Sequence, residues 1–111
     1  MRELIEFEDF DSVDIRIGTI TSVANFESAK KPAYQIVIDF GSLGKLRSSA
    51  QIKELYKTDD LIGRQIIAVV NVGHKQISNF ISQCLILGVS TKSGVSLLHT
   101  NFNSQNGIIV T

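Results

Sequence analysis

Tyr34, Ile36, Ile38 and Phe40 recur at a period of two, with Gln35 and Asp39 on the opposite face. Side chains alternate across a strand, so residues 34–40 predict a half-buried antiparallel strand. Gly41-Ser42-Leu43-Gly44 makes a hairpin turn after it, and Lys45-Leu46-Arg47 begins the return strand. This commits the chain to a sheet with one wet face and one dry face.

The other segments fit around that hairpin. Ile66 to Val70 is an uninterrupted apolar run, as suits a strand buried on both faces. Asn71, His74, Lys75, Gln76, Ser78 and Asn79 follow as a short polar loop, and Ser82 and Gln83 open the next apolar run, Cys84 to Leu87. Polar groups at the rim of two buried strands form a plausible binding edge.

Upstream, Ile15 to Phe26 reads as a long strand, with Ile15, Ile17, Thr19, Thr21 and Val23 on one face. Gly18 inside it predicts a bulge or sharp bend. Glu27 to Pro32 is a turn. Phe7, Phe10 and Val13 predict a short helix within residues 5–13 that must dock on the barrel or on a partner chain. Ser48 and Gln51 have the spacing of a capping box, which predicts a helix over residues 48–56, with Ile52, Leu55 and Tyr56 as its stripe. Thr58-Asp59-Asp60 and Gly63 read as turn material. Val95 to His99 and Ile108 to Thr111 read as short strands flanking a polar loop, the second pairing inside the domain or with another subunit.

The pattern predicts one all-β domain over residues 1–111. It is a five-stranded Greek-key barrel of the OB type, with a short N-terminal helix, one helix between strands 3 and 4, and extra C-terminal strands.

Composition narrows the chemistry. No apolar stretch reaches the ~20 residues of a membrane span, so no membrane insertion and a cytoplasmic location are expected. Residues 1–14 hold six acids against Arg2, and the rest holds ten bases against five acids, so an arm of −5 precedes a body of +5. Overall neutrality argues against an obligate high-affinity nucleic-acid binder.

No nucleotide-binding, hydrolase or metalloprotease signature is present, so no catalytic residue, metal or cofactor is expected. Cys84 is the only cysteine and sits in an apolar run, which suits a small core residue. His74 and His99 have no ligand-spaced partners; His99 reads as a strand residue and His74 as a loop residue.

Three segments carry a resemblance. Phe10-Asp11-Ser12-Val13-Asp14-Ile15-Arg16-Ile17-Gly18 resembles the opening of the tRNA-binding OB domains, found in bacterial methionyl-tRNA synthetases and as free-standing proteins. Ile36 to Gly41 with Ser48-Ser49-Ala50-Gln51-Ile52, and Ile66 to Asn71, are similar to one subgroup, the CsaA family of export-related secretory chaperones. The resemblance implies a homodimer that binds unfolded preproteins and the translocation motor, with tRNA as the alternative ligand. It implies a groove of Ser48, Ser49, Gln51, Asn71, Lys75 and Ser82. Additional contacts would come from Arg16, Lys30, Lys31, Arg47, Lys53 and His74. A partner for Asp14 is an equal reading of Arg16. Phe7, Phe10, Ile108, Ile109 and Val110 are the dimer-interface candidates. The sequence departs from the family at Gly73, His74, Gln76 and Asn79, where prolines and a second base are usual, and at Ile81 and Gln83, where Lys and Glu are common. Fewer cations weaken the salt-dependent part of RNA affinity.

Overall fold

The long strand β1, Ile15–Asn25, serves two neighbours. In the computed structural model, which describes residues 1–111, its first half pairs with β4 (Gln65–Val69), from Ile15 opposite Val69 to Thr19 opposite Gln65. Its second half pairs with β2 (Tyr34–Asp39), from Thr19 opposite Asp39 to Asn25 opposite Tyr34. The register shifts between Ile20 and Ser22, a bulge that bends the strand. β3 (Lys45–Ala50) extends one side and β7 (Leu85–Ile86) the other, giving the antiparallel order β3-β2-β1-β4-β7. This is the nearly closed barrel of an OB-fold.

The bulge and its surroundings correct two expectations for β1. Ile15, Ile17 and Thr19 do not share a face with Val23: before the bulge Gly18 and Ile20 face the barrel interior, and after it Val23 packs against the core. Gly18 is also not the bulge. A Cβ there would lie 2.6 Å from Ile38 Cγ2 and 2.8 Å from Phe40 Cδ1, so close packing requires the glycine.

The alternation in β2 holds: Tyr34 is 5% exposed, and Ile36, Ile38 and Phe40 are fully buried. Burying one such side chain contributes about 1.5–3 kcal/mol.

The helix expected over 48–56 lies elsewhere. Ser48 and Ser49 continue β3, opposite Ile36 and Gln35, so the apparent capping box is strand. Ser48, Ala50 and Ile52 alternate inward, a period of two that the serines disguised. The connection from β3 to β4 instead carries α2, Thr58–Leu61, built on the residues read as turn material. Its Leu61 is fully buried, and the Asp60 carboxylate accepts the Lys57 N–H at 2.9 Å.

The polar loop after β4 is itself a hairpin. β5 (Lys75–Ile77) and β6 (Phe80–Ser82) turn at Ser78, which adopts φ +55°. Phe80 packs on Phe26 with ring centroids 5.4 Å apart, joined by Ala33 and flanked by Ile77. This small cluster fixes the hairpin to the β1–β2 connection.

β8 (Gly88–Thr91) and β9 (Gly94–Leu97) form a second hairpin, held to the core by Leu97. Tyr56 Oη accepts the Leu97 N–H at 2.9 Å. The C-terminal segment pairs inside the domain along β1: Gly107 N–H to Ile17 O, Ile17 N–H to Ile108 O, and Val110 N–H to Ile15 O. The short helix α1 (Phe7–Asp11) is exposed on all its residues.

Candidate binding groove

Closure of the barrel fails where β3 should meet β7. Arg47 and Gln83 close the first rung, with Gln83 N–H to Arg47 O at 2.7 Å and Arg47 N–H to the Gln83 side chain at 2.9 Å. Ser49 N–H then takes only a side chain, Ser82 Oγ, at 3.1 Å. Backbone groups alternate edges along a strand, so those of Ser49 and Gln51 face the same opening. Beyond Ser49 the strands part and leave a seam of about 250 Å³, lined by Ala50, Ile52, Leu85, Ile86, Val95 and Leu97.

The seam opens into a larger groove. A cleft of about 720 Å³ lies between the β1–β2 connection (Ser28, Lys30, Lys31), the β3 edge (Ser49, Gln51) and the β5 hairpin (Lys75, Ile77, Ser78). A smaller one of about 330 Å³ lies beside Val72, Ser82 and Leu85. A third, of about 460 Å³, adds Lys53 and Glu54 beside Gln51. Gln51 lines all four spaces. The loops after the first and fourth barrel strands are where an OB-fold takes its ligands.

Ser49, Gln51, Lys75 and Ser82 therefore come together as expected, with Lys30, Lys31 and Lys53 around them. The other site residues lie elsewhere. Ser48 is 1% exposed and faces the core, so it leaves the groove. Asn71 anchors the N-terminal segment: its Oδ1 accepts the Asp14 N–H at 2.8 Å and its Nδ2 donates to Ser12 O at 2.7 Å. Arg16 pairs with Asp14 at 2.6 Å and donates to Gly107 O, the structural one of its two readings. Arg47 stacks over Phe80 outside the clefts, and exposed His74 lines none of them.

Sequence reading missed the aliphatic floor. Leu85, Ile86, Val95 and Leu97 join it only because β7 and β9 meet at the seam. Cys84, at the base of the groove, is buried, and desolvation pushes its thiol up to about 12. No three His, Cys, Asp or Glu side chains gather to hold a metal. A separate polar cleft of about 600 Å³, near Asp60, Arg64, Gln65 and His99, shares no residue with the groove.

Residues 15–108 match the family described as "Putative tRNA binding domain". The chain belongs to this family of tRNA-binding domains. Within it, the CsaA chaperone of Picrophilus torridus superposes with a TM-score of 0.93 at 47% identity, covering 97% of this chain and all of that one. The CsaA chaperone of Bacillus anthracis gives 0.92 at 44%, covering 98% of this chain and all of that one. Among curated relatives, a methionine–tRNA ligase of Francisella tularensis is 33% identical over 104 residues. The match covers 94% of this chain but only 15% of the ligase. The resemblance read from Phe10–Gly18, Ile36–Gly41 with Ser48–Ile52, and Ile66–Asn71 is thus borne out.

Proposed function

We propose that the chain is a non-enzymatic, CsaA-like cytoplasmic chaperone that holds unfolded or presecretory polypeptides as a homodimer. The observation that carries this is the open seam. It presents an outward β3 edge above an aliphatic floor. An extended segment can add to such an edge through its backbone while alternate side chains enter the apolar space. No aromatic residue lines the groove, so it lacks the stacking platform that single-stranded bases use. Its fit is to polypeptide.

The lysines favour a second reading, tRNA held by shape and phosphate contacts. Titrating an unfolded preprotein and tRNA at low and physiological salt separates the two. The chaperone reading expects preprotein binding that persists in salt. Tight, steeply salt-dependent tRNA binding without preprotein binding overturns it.

The dimer rests on an uncovered apolar face. Leu4 is 89% exposed, Ile5 66%, Phe7 88% and Phe10 46%. Ile108 and Ile109 are also exposed, beside the start of β1, while Val110 is half-buried. Phe7→Glu is expected to convert the dimer to monomer by light scattering on a sizing column; an unchanged dimer mass places the interface elsewhere.

A further inference from the structure

We propose, resting on the polypeptide-binding reading above, that the groove selects segments in which an aliphatic residue is flanked by acidic ones, and rejects basic segments. The charged side chains lining the groove and its seam are Lys30, Lys31, Lys53 and Lys75 against Glu54 alone. They are not spread evenly. The largest cleft carries Lys30, Lys31 and Lys75 and no acid. The seam, lined by six apolar residues, carries no charge at all.

The two spaces adjoin at Ser49 and Gln51, which line both. A segment lying along the outward β3 edge would therefore put an aliphatic side chain into the seam while its neighbours pass three ammonium groups. Side chains in an extended segment alternate, so residues two apart share a face at roughly 6–7 Å. That spacing lets one residue enter the seam and the next on the same face meet the lysine rim. Lys30, Lys31 and Lys75 are all exposed, and none has a salt-bridge partner, the one ion pair of the chain being Arg16 with Asp14. Their field is thus free for a ligand, and complementary charge acts on choice of partner and on association rate. A ligand rich in Lys or Arg meets like charge instead.

The probes are three short labelled peptides with the same leucine and valine positions, flanked by Glu, by Gln or by Lys. Fluorescence anisotropy reads their affinity. The Glu peptide is expected to bind about tenfold tighter than the Gln peptide at low salt, with the gap narrowing as salt rises, and the Lys peptide is expected to bind weakest. The triple variant Lys30→Glu, Lys31→Glu, Lys75→Glu should reverse the order; circular dichroism confirms that it folds. Equal affinities for the three peptides, or an order unchanged in the triple variant, overturn charge selection while leaving polypeptide binding in place. Failure of all three peptides and of an unfolded preprotein to bind overturns the polypeptide reading itself. Displacement of the Glu peptide by a single-stranded oligonucleotide of higher affinity assigns the lysines to phosphate and also overturns the proposal. So does a Glu-peptide affinity that rises when residues 1–10 are removed, because the groove would then belong to the chain's own acidic arm.

Discussion

Alanine at Gly18 is expected to lower stability by about 1–3 kcal/mol, although it adds one methyl group to a strand. The added Cβ would meet Ile38 Cγ2 at 2.6 Å and Phe40 Cδ1 and Cε1 at 2.8 Å. Both residues are fully buried, so neither can swing into solvent. Interiors are packed at crystal-like density, and the strain must move backbone or force side chains off their rotamers. Alanine at Phe40 acts in the opposite sense, leaving a cavity at a cost of about 3–5 kcal/mol. The two changes are expected to be non-additive. With the ring gone, two of the three closest contacts vanish, so Gly18→Ala should cost less in the Phe40→Ala background. A double-mutant cycle from urea denaturation midpoints reads the coupling, expected at about 0.5–3 kcal/mol in favour of the pair. Strict additivity would mean that the methyl group is accommodated elsewhere and that Gly18 is not held by packing.

Gly18 also shows where sequence reading stops. A strand glycine signals either a bulge or a close approach, and the sequence alone does not separate them. The bulge falls between Ile20 and Ser22 and needs no glycine. That one extra residue puts the inward sets before and after it out of step, so Ile15 and Val23 do not share a face, because side-chain parity depends on every residue between. The 34–40 strand carried no such insertion, and its inward set was fully legible. At residues 48–56 a local signal misled. Ser48 with Gln51 matches a cap, but pairing with Gln35 and Ile36 overrides the local preference. Serine lowers the apparent hydrophobicity of the inward row without disturbing its packing, since Ser48 is small and buried.

The groove divides in the same way. Its polar rim was legible because Ser49 and Gln51 belong to a segment that carries the family pattern, and Lys75 and Ser82 follow a second such segment closely. Its floor was not, because Leu85, Val95 and Leu97 meet only through non-local pairing of short strands. Asn71 stood in the matched segment yet points at Ser12 and Asp14. A matched residue marks a position in the fold; its hydrogen-bond partners decide whether it serves a ligand or the chain. The hairpin at 75–82 was hidden for a related reason. Its apolar anchors, Ile77 and Phe80, lie in a mainly polar stretch with no clear period, and their burial depends on Phe26 and Ala33 far upstream.

Cys84 gives a chemical test of the same packing. Its thiol is 4% exposed within the main core, and desolvation raises it from 9.0 to about 12. At pH 8 a three-unit rise cuts the thiolate fraction about a thousandfold. Reaction with a thiol-specific disulfide reagent is expected to be slower by at least that factor in the native protein than in urea, since burial also blocks approach. The same shift predicts an alkaline loss of stability. The unfolded chain releases this proton as pH passes about 9, whereas the folded chain holds it until about 12. Over that window the unfolded state binds fewer protons, so stability falls as pH rises. The contribution is fully present below pH 9, and its loss amounts to about 4 kcal/mol once pH exceeds 12. Tyrosine and lysine titrate in the same range, so the comparison is with Cys84→Ala, which should show a shallower alkaline slope. Equal slopes in the two proteins, or a native thiol that reacts as fast as the unfolded one, would sink the assignment. Backbone edges, an aliphatic floor and lysines line the groove, and the proposed polypeptide binding rests on these.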